Sequence, residues 1–600
     1  MCGIFGFIDK SQQLSKNTLE LMSQKLRHRG PDAQGTFINR EKNVYLGHNR
    51  LSIIDLSANG NQPMSNENQN LWLVYNGEIY NYQEIRQYLM AKGHVFKSDS
   101  DTEVILHAYE EWGISCLEKF RGMFAFALWD NNAGKLILVR DRLGIKPLYY
   151  LDNNGVFAFA SESKAFLTLK DNIWQPEINF DNLQFLLGFN FLPSNTETIL
   201  QGIKKLAPGN YLILQNNQIT IEPYWQLKKS RQLFNVKFAD SLAEFERLLE
   251  ESVRLRMRSD VPVGIMLSGG LDSSVIAALA QKNCPTKINT ITASFNHKQD
   301  ESHYAQLVAQ HIGSNHHTLK IDTQDVSDDL EKYIGYFDDL SSFDGGLITN
   351  IILTQKIREL GVIVLLLGEG ADEVLGGYSW YGLSKFPFNL LPNKIRNLLY
   401  YYSISRNLSF NPKFYWKKLN NLIKDFADQD DFDVICQLEC LYQLPNHYLM
   451  KVDKGTMANA TEARVPYLDH KFVEFAYNLP AKYKLRGSLY SFKKSNEKYI
   501  LRQVAEKYLP PVICQRKKQG FLLPVSDVLK ANLDKVHDYI FAADSLSRQL
   551  FPEKKLAKLF SKTMIKSSKP YLNAGEIEKE LFLWKLWLLE CWQKHYFSNH

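Results

Sequence analysis

The motif Leu-Ser-Gly-Gly-Leu-Asp-Ser-Ser at positions 267–274 is the feature that most restricts how this chain can fold. An apolar, strand-like stretch at 261–267 precedes the loop, and a helix-like stretch at 274–280 follows it. A strand that runs through a glycine-rich loop into a helix suits a phosphate, because backbone N–H groups and the helix N-terminus both favour an anion. Gly269 and Gly270 permit the close backbone approach that a side chain would block. The motif therefore predicts a phosphate-binding loop.

The kind of loop can be narrowed by comparison with known phosphate-binding motifs. It lacks the Gly-Lys-Ser/Thr ending of a Walker A loop and differs from the dinucleotide-binding glycine fingerprint. A bare Ser-Gly-Gly tripeptide is most often a flexible turn, but the full motif in its strand–loop–helix setting outweighs that interpretation. The motif resembles the pyrophosphate loop of the ATP pyrophosphatases, which split ATP into AMP and pyrophosphate. The residues that this resemblance assigns to ATP binding are Leu267, Ser268, Gly269, Gly270, Asp272 and Ser273.

Length, charge and cysteine content limit the class of protein. The 600 residues exceed what one hydrophobic core holds, so we expect more than one domain. The net charge of +6 is small for this length and spread along the chain, which argues against nucleic acid as a partner. Seven cysteines without a Cys-x-x-Cys pair favour a reducing, cytoplasmic setting. We find no signal-peptide pattern and no run of about 18 apolar residues that would predict a membrane span.

Cys2 is the first candidate nucleophile. If Met1 is removed, Cys2 carries both a thiol and a free α-amine, whose pKa of about 8 suits a general base for that thiol. Taken alone, Cys2 is better interpreted as a small apolar residue that opens a buried strand. Polar segments further along the chain favour the interpretation of Cys2 as a nucleophile, because they supply the other groups that a thiol needs to hydrolyse an amide.

These groups can bind an amino-acid substrate and stabilise a tetrahedral intermediate. Arg50 and Asp101 can bind its α-carboxylate and α-amine. The Asn76 side chain and the Gly77 N–H can form an oxyanion hole, in which the loss of one donor costs roughly 3 kcal/mol of transition-state stabilisation. The combination predicts that a thiol hydrolyses the amide of an amino-acid substrate.

Five segments resemble, in content and in order, the class II glutamine amidotransferase domains. They are Cys-Gly-Ile at 2–4, Arg-His-Arg-Gly-Pro-Asp at 27–32, Arg-Leu-Ser-Ile at 50–53, Asn-Gly-Glu-Ile-Tyr-Asn at 76–81 and Gly-Met-Phe-Ala-Phe-Ala at 122–127. The resemblance implies an N-terminal-nucleophile fold, an αββα sandwich of two antiparallel sheets between helix layers. It also implies that Cys2 releases ammonia from glutamine. The residues implied to bind that glutamine are Arg50, Asn76, Glu78 and Asp101.

The second half of the chain has a different pattern. Turn signals between 208 and 225 predict the end of the first domain, so we place the domains at 1–225 and 226–600. Strand-like stretches at 289–295 and 362–367 alternate with helix-like stretches at 303–312 and 347–360, which predicts a doubly wound parallel α/β sheet. Beyond Ser379 the pattern is nearly all helical, and we interpret the aromatic stretch at 582–596 as a packing helix.

Ligands bind at the carboxyl ends of the strands in such sheets, and the loops 268–274 and 368–373 both lie at strand ends. Asp272 and Asp372 are therefore candidates to hold Mg²⁺ on a pyrophosphate, since Mg²⁺ is usually held by one or two carboxylates plus phosphate oxygens. Leu367 and Gly368 are expected to complete the ATP site. Glu369 is expected to orient the acceptor or to act as a base.

Two later segments resemble the asparagine synthetases. Glu-Ala-Arg-Val-Pro-Tyr-Leu-Asp at 462–469 matches a strong signature of that family, and Glu-Lys-Tyr-Ile-Leu-Arg at 497–502 matches the segment whose lysine contacts the ATP phosphates. The resemblance assigns that role to Lys498. It implies an enzyme that adenylates aspartate with ATP and Mg²⁺, releases pyrophosphate, and forms asparagine with ammonia that crosses between the domains. The family also occurs as dimers, which implies a possible homodimer.

The acceptor carboxylate is the weakest part of this interpretation. Family members matched to aspartate carry an arginine in a threonine-rich stretch before the Gly-Glu-Gly loop, and an arginine fork is hard to replace in carboxylate recognition. The corresponding segment here, 339–350, contains no arginine. Aspartate stays the first choice because the other motifs point to it. The alternatives are another carboxylate, such as a uronic-acid sugar of a surface polysaccharide, and a non-catalytic nucleotide-binding homologue.

Overall fold

The structure is a computed structural model. It describes residues 1–170, 172–230, 232–295, 300–322, 326, 329–340, 343, 345–385, 388–404, 417–418, 422, 431–487, 497–516, 525–566 and 574–597. Three positions of the predicted acceptor segment lie outside the described residues, as do the family-like residues 517–521 and most of 390–430. Those three positions are Ser341, Ser342 and Asp344.

The strands form two six-stranded antiparallel sheets and one five-stranded parallel sheet. The antiparallel sheets contain β1 (Gly3–Asp9), β2 (Ala33–Asn39), β3 (Val44–Arg50), β4 (Met64–Ser65), β5 (Leu71–Ile79), β6 (Gly122–Asp130), β7 (Lys135–Arg140), β8 (Tyr149–Asn153), β9 (Val156–Ala160), β10 (Lys204–Lys205), β11 (Asn210–Gln215) and β12 (Gln218–Pro223). The parallel sheet contains β13 (Val263–Met266), β14 (Asn289–Phe295), β15 (Asn315–Ile321), β16 (Val364–Leu366) and β17 (Glu462–Arg464).

The α-helices are few before β13 and numerous after it. Those before β13 are Lys16–Leu26, Tyr82–Ala91, Asp101–Trp112, Cys116–Lys119, Phe180–Phe189 and Phe238–Arg256. Those between β13 and β17 are Leu271–Lys282, Ser302–Ile312, Leu330–Ile334, Gly346–Glu359, Ala371–Leu375, Asn393–Ile404, Asp431–Leu438 and Leu449–Met457, with a π-helix at Glu439–Tyr448. Those after β17 are His470–Asn478, Ala481–Lys484, Tyr499–Ala505, Pro511–Cys514, Val525–Ala531, Leu533–Ile540, Leu546–Leu550, Glu553–Lys566 and Ala574–Phe597.

Strands β1–β12 form the two inner layers of a four-layer sandwich, and helices form the two outer layers. One sheet has the order β10-β8-β9-β1-β3-β2, and the other has the order β12-β11-β7-β6-β5-β4. Buried residues from both sheets meet between them, among them Ile4, Val74 and Leu138. Helix Lys16–Leu26 covers the outer face of the first sheet, and helix Asp101–Trp112 belongs to the apolar layer outside the second. The arrangement confirms the predicted αββα sandwich, which we call the N-terminal sandwich.

The parallel sheet has the strand order β15-β14-β13-β16-β17. The chain builds outward from β13 to β15 and then returns to the other side of β13, so the order reverses between β13 and β16. A crevice forms at such a reversal, at the carboxyl ends of the strands. The loops that follow β13 and β16 are the two that the sequence predicts to bind ATP. The sheet confirms the predicted doubly wound architecture.

The prediction that the chain beyond Ser379 is nearly all helical is confirmed, and the exception among the described residues is the three-residue strand β17. This strand pairs in parallel with β16, and the Leu367 N–H donates to the Arg464 carbonyl at 2.9 Å. Its two charged side chains are fully buried because they neutralise each other: Arg464 Nε lies 2.6 Å from Glu462 Oε1. A buried parallel strand is usually apolar, so the charged residues concealed this one.

The predicted packing helix near the C-terminus is confirmed. Helix Ala574–Phe597 buries Trp584, Trp587 and Trp592 against the preceding helices. The Trp592 indole N–H donates to the Asp338 carbonyl at 2.7 Å, which ties this helix to the neighbourhood of the acceptor segment. Within the described residues, no helix is both long and apolar enough to cross a membrane.

Candidate active sites

Cys2 lies at the start of β1 and lines a small cavity of about 30 Å³, which we call the Cys2 cavity. Four of the residues predicted to act on glutamine also line the cavity. They are Arg50, Gly77, Glu78 and Asp101. The fifth, Asn76, contacts Cys2 directly, so the fold brings together all of the residues that the sequence assigned to amide hydrolysis.

Asn76 holds the backbone of the predicted nucleophile. The Cys2 N–H donates to Asn76 Oδ1 at 2.9 Å, which leaves the Nδ2 group of the same amide without a hydrogen-bond partner among the described residues. A buried amide donor that lacks a partner is costly unless a ligand supplies an acceptor. Burial raises the pKa of the Cys2 thiol, and the positive amino terminus opposes that rise. The geometry suits Asn76 to an oxyanion.

Arg50 is fixed in the cavity wall by carbonyl oxygens of the loop that follows β3. Its Nη1 donates to the Ser57 carbonyl at 2.7 Å and to Asn61 Oδ1 at 2.9 Å, and its Nη2 donates to the Asp55 carbonyl. A Cβ atom on Gly60 would lie 2.1 Å from Arg50 Nη2, so a side chain there would displace the guanidinium. The loop therefore holds a cation in the wall of the Cys2 cavity.

Asp101 stands in the first turn of helix Asp101–Trp112. Its Oδ2 accepts hydrogen bonds from the Tyr75 hydroxyl at 2.7 Å and from the Ile79 N–H at 2.9 Å. Burial raises the pKa of Asp101 to about 6, although these hydrogen bonds oppose the rise. Asp101 is therefore ionised at neutral pH and able to accept hydrogen bonds from an ammonium group.

The parallel-sheet part completes the wall of the Cys2 cavity. Glu462 of β17 lines the cavity, and its Oε2 lies 3.3 Å from the amino nitrogen of Met1. Arg464 of the same strand lies 3.3 Å from Glu78 Oε1. Burial and the neighbouring Glu462 raise the pKa of Glu78, while Arg464 lowers it. The segment 462–469 was recognised by its family signature, but no local pattern predicts that it lies beside Cys2.

Lys498 joins the two loops at the strand reversal. Its Nζ lies 2.6 Å from Asp272 Oδ2, in the first turn of helix Leu271–Lys282 after β13, and 2.7 Å from Asp372 Oδ1, in the first turn of helix Ala371–Leu375 after β16. Burial opposes its charge, but the two carboxylates outweigh burial and raise the pKa of Lys498. A Cβ atom on Gly377 would lie 1.9 Å from Asp372 Oδ1 and 2.1 Å from Lys498 Cε, so glycine leaves the space for this pair. We call the three charged residues the Lys498 site.

The first loop has the backbone geometry of a phosphate cradle. Gly269 has φ of +70°, and a Cβ atom there would lie 2.6 Å from Tyr304 Cβ. The Ser268 N–H donates to Ser273 Oγ at 3.1 Å, which closes the loop on the start of helix Leu271–Lys282. Arg516 Nη1 donates to the Gly269 carbonyl at 2.9 Å and so brings a further cation to the loop.

Comparisons with known proteins match both halves of the chain. A family model described as a glutamine amidotransferase domain matches residues 1–225, and a model described as asparagine synthase matches residues 244–594. Asparagine synthetase (glutamine-hydrolysing) 1 of Bacillus subtilis is 33% identical over 586 residues, which cover 89% of each chain. The chain belongs to the family of glutamine-hydrolysing asparagine synthetases.

Further relatives show the range of this family. Asparagine synthetase 3 of Bacillus subtilis is 30% identical over 567 residues, covering 87% of both chains. Amidase chry2 of Gibberella zeae is 28% identical over 620 residues, covering 87% of this chain and 89% of the relative. Membership in the asparagine synthetase family establishes an amidotransferase ligase that uses ATP. It leaves the acceptor open.

The Lys498 site of this asparagine-synthetase-type chain fits a Mg²⁺ ion. Asp272 and Asp372 each approach the same Nζ within 2.7 Å, so their carboxylates converge on one small volume. Two carboxylates that face incoming phosphate oxygens are the donor set that Mg²⁺ prefers. Gly368 keeps the loops close, because a Cβ atom there would lie 3.2 Å from Asp272 Cβ.

Glu369, the predicted orienting residue or base, is half-buried beside this site. Burial raises its pKa, and the ammonium of Lys451 opposes that rise. A carboxyl whose pKa is raised is easier to protonate than an ordinary glutamate, which suits proton exchange with an amine or a carboxylate. Lys451 was not predicted from sequence. Its position on helix Leu449–Met457, shortly before the segment 462–469, is the sequence feature that could have indicated it.

Arg29 connects the nucleophile with the synthetase part of the asparagine-synthetase-type chain. Its Nε donates to the Cys2 carbonyl at 3.1 Å, and its Nη1 lies 2.7 Å from Glu162 Oε1 and 2.9 Å from Asp453 Oδ2. The guanidinium is fully buried, and the pKa of Arg29 is raised because these two carboxylates outweigh burial. In the sequence, Arg29 is recognisable only as part of the amidotransferase-like segment 27–32.

Proposed function

We propose that this chain is a glutamine-dependent asparagine synthetase. It would convert ATP, aspartate and glutamine into AMP, pyrophosphate, asparagine and glutamate. The observation that carries the proposal is the Lys498 ammonium between Asp272 and Asp372 at the strand reversal. That arrangement offers a cation and two carboxylates where the phosphates of ATP would enter, and the Cys2 cavity supplies the nitrogen donor.

In the first half-reaction, the Cys2 thiolate attacks the amide carbon of glutamine. The tetrahedral oxyanion is stabilised by Asn76 Nδ2 and the Gly77 N–H. Once Met1 is removed, the free α-amine of Cys2 takes the thiol proton and passes it to the departing nitrogen, so that the C–N bond breaks, ammonia leaves and a thioester remains. Water then cleaves the thioester to give glutamate and free Cys2. Arg50 binds the α-carboxylate of glutamine and Asp101 binds its α-amine, which fixes the amide against the thiol.

In the second half-reaction, the acceptor carboxylate attacks the α-phosphorus of ATP. Pyrophosphate leaves, and Lys498 stabilises the negative charge that develops on the phosphates. Bound Mg²⁺ would neutralise the pyrophosphate, with Asp272 and Asp372 as its protein ligands. The resulting β-aspartyl-adenylate is attacked by ammonia, with Glu369 placed to orient the acceptor or to take up a proton.

Ammonia has to reach the adenylate without meeting water, because water hydrolyses the adenylate and ammonium is not a nucleophile. Strand β17 supports an internal route. Glu462 at its start lines the Cys2 cavity, and the Arg464 carbonyl at its end bonds to Leu367, which opens the loop of the Lys498 site. We propose that ammonia passes along this strand between the two sites.

One observation favours the second candidate, the same chemistry on another carboxylate. In the described part of segment 339–350, Asp339 is committed to Lys454 and to the Tyr149 hydroxyl at 3.0 Å, and the segment contains no arginine. The segment therefore supplies no cation for the α-carboxylate of aspartate. One of the relatives, from Gibberella zeae, is named an amidase and not an asparagine synthetase.

A pyrophosphate-release assay across a panel of carboxylates decides between these candidates. The panel includes aspartate and uronic-acid nucleotide sugars, with glutamine or ammonium as nitrogen donor. We expect aspartate to give the largest signal, and its failure to give any would overturn the proposal.

Cys2→Ala should abolish the glutamine-dependent reaction and keep the ammonium-dependent one. Loss of both in this variant would contradict two separate sites.

A further inference from the structure

Three metal-ligating side chains lie together on the N-terminal sandwich, outside the residues that line the Cys2 cavity. His107 and Glu110 belong to helix Asp101–Trp112, and His94 belongs to the connection that precedes this helix. We call these three residues the His94 cluster. Neither half-reaction proposed above uses them.

The ligating atoms of the His94 cluster have the spacing of a tetrahedral metal site. His94 Nδ1 lies 3.3 Å from His107 Nδ1 and 3.5 Å from Glu110 Oε2, and His107 Nδ1 lies 2.8 Å from the same oxygen. Tetrahedral Zn²⁺ with bonds of about 2.0–2.1 Å keeps its ligand atoms roughly 3.3 Å apart. A point at bonding distance from all three atoms therefore exists just outside their plane, with the fourth position open.

Carboxylates lie at ion-pair distance from the other ring nitrogen of each histidine. His107 Nε2 lies 3.7 Å from Glu67 Oε1 and 3.8 Å from Glu103 Oε1, and His94 Nε2 lies 3.6 Å from Glu111 Oε2. A histidine that ligates a metal usually turns its other ring nitrogen toward a carboxylate or carbonyl. The ring nitrogens that would not bind the ion therefore face carboxylates.

The remaining ligand, Glu110, is fixed in a similar way. Its Oε1 accepts a hydrogen bond from Asn66 Nδ2 at 2.8 Å, which leaves Oε2 directed at both histidines. Asn66 in turn is held by the N–H groups of Asn70 and Leu71, each at 3.0 Å from its Oδ1. The ligand set is thus anchored by a second layer of hydrogen bonds.

Burial of the His94 cluster suits an ion that enters from solvent and stays. The His107 side chain is 1% exposed, and its Nε2 has no hydrogen-bond partner within the part of the chain that the structure describes. The side chains of His94 and Glu110 are 18% and 24% exposed. One ligand is therefore in the protein interior, and the other two reach the surface, where water can take the open position.

We propose that His94, His107 and Glu110 bind a divalent transition-metal ion of the zinc type. Two imidazoles and a carboxylate are the donor set that Zn²⁺ and its neighbours in the first row accept. The ion would be structural: it would tie the connection that carries His94 to the helix that begins with Asp101. The inference is independent of which carboxylate the enzyme activates.

The test uses the full-length protein, stripped of metal with a chelator and dialysed. Zn²⁺ is titrated by calorimetry into the wild-type protein, His94→Gln and Glu110→Gln, with thermal unfolding measured at each end point. His537→Gln is the matched control, because this histidine is 52% exposed, pairs with Asp538 and lies outside the cluster. Co²⁺ in place of Zn²⁺ reports the geometry through its visible absorption.

We expect the wild-type protein and His537→Gln to bind one more Zn²⁺ per chain than either cluster variant, and to unfold at a higher temperature with Zn²⁺ than without it. Bound Co²⁺ should give tetrahedral bands in the wild-type protein that are absent in His94→Gln. Equal Zn²⁺ binding by all four proteins would overturn the proposal. Absence of binding by the wild-type protein would overturn it as well, and would leave the cluster as a set of hydrogen bonds.

Discussion

At the residue scale, Lys498 is central to the ATP-dependent reaction proposed for the second half of the chain. It has φ of +52°, in the left-handed region that a lysine rarely adopts, and it precedes helix Tyr499–Ala505. Strain of this kind persists only where the surroundings hold the residue in place. Here the two carboxylates hold the ammonium, so the same contacts that would serve ATP also stabilise the unusual backbone.

We expect Lys498→Met to lower ATP-dependent pyrophosphate release by about 100-fold or more, because an electrostatic stabiliser of the transition state is removed. Glutaminase activity should stay close to wild type, since Lys498 makes no described contact with the Cys2 cavity. Lys507→Met, which breaks an exposed pair with Glu246, is the control for loss of a lysine. Pyrophosphate and glutamate release, measured separately, test this; equal loss of both would contradict it.

The pKa of Asp101 gives a pH prediction for glutamine binding. The folded-state pKa of about 6 exceeds the ordinary value of about 3.9, so the folded protein holds this proton more tightly than the unfolded chain. Between those values, the stability contributed by protonated Asp101 is lost as pH rises. Binding has the opposite dependence, because only the carboxylate form pairs with the α-ammonium of glutamine.

We therefore expect KM for glutamine to rise up to about tenfold per pH unit as pH falls below 6. Ammonium-dependent synthesis should lack this inflection. Asp99→Asn, at a neighbouring position where the side chain is 89% exposed, should keep the wild-type profile. Glutaminase kinetics across the range provide the measurement, and a KM that stays flat through pH 6 would refute the role given to Asp101.

At the scale of elements, β17 is a strand of three residues that touches both sites. Its charged residues are buried without solvent, so each needs the other: Arg464 contacts Glu462 and Glu78, and Glu462 contacts the chain terminus. Removing one member of such a set leaves a buried charge without its partner. The strand is therefore a sensitive point for the hydrolysis of glutamine, although it belongs to the other half of the chain.

Glu462→Gln keeps the size of the side chain and removes its charge. We expect a fall of about tenfold in glutamine hydrolysis, equivalent to ~1.4 kcal/mol, because the cavity loses the carboxylate beside the amino terminus. Ammonium-dependent synthesis should change much less. Glu474→Gln, on the next helix and partnered by the Trp225 indole at 2.6 Å, is a matched control. If the two substitutions have the same effect on glutamine hydrolysis, Glu462 has no special part in the cavity.

Apolar runs predicted the central strands of the parallel sheet. The strand-like stretches at 289–295 and 362–367 correspond to β14 and β16, because each strand is long or apolar enough to leave a pattern. Strand β17 has three residues, two of them charged, and no local pattern identifies it. Its assignment depends on pairing with β16 across a long separation in sequence, which a single sequence does not encode locally.

The site residues divide in the same way. Cys2, Asn76 and Lys498 were predicted as site residues because each stands in a recognisable motif. Glu462 escaped because its partner is the chain terminus, and only the fold brings the two together. The His94 cluster left a partial signal, since His107 and Glu110 are three apart on one helix face, but His94 joins them only through the packing of its connection.

At the scale of the whole molecule, buried ion pairs join the N-terminal sandwich to the synthetase part. Arg29 reaches Asp453, while Arg121 lies 2.7 Å from Asp469 Oδ2. Surface pairs contribute little to stability, but breaking a buried pair is strongly destabilising because the remaining charge keeps its desolvation cost. The junction is thus specific and intolerant of change.

We expect Asp453→Ala to lower the free energy of unfolding by about 3 kcal/mol, at the low end for a broken buried pair because Glu162 still pairs with Arg29. Asp329→Ala removes an exposed partner of Lys332 and should cost below about 1 kcal/mol. Denaturant unfolding of both variants gives the comparison. A loss for Asp453→Ala no greater than for Asp329→Ala would show that the junction does not depend on this pair.

The position of β17 limits how the two halves of this chain can be exchanged by recombination during evolution. The sequence offers a natural point of recombination near residue 225, where one motif set ends and the next begins. Consider a recombinant that took residues 1–225 from one ancestor and the rest from another. In that protein, Glu78 would pack against a strand from a different ancestor. Without an arginine in the place of Arg464, that glutamate would be buried with its main counter-charge missing. The two halves of this enzyme are therefore expected to diverge as a linked pair.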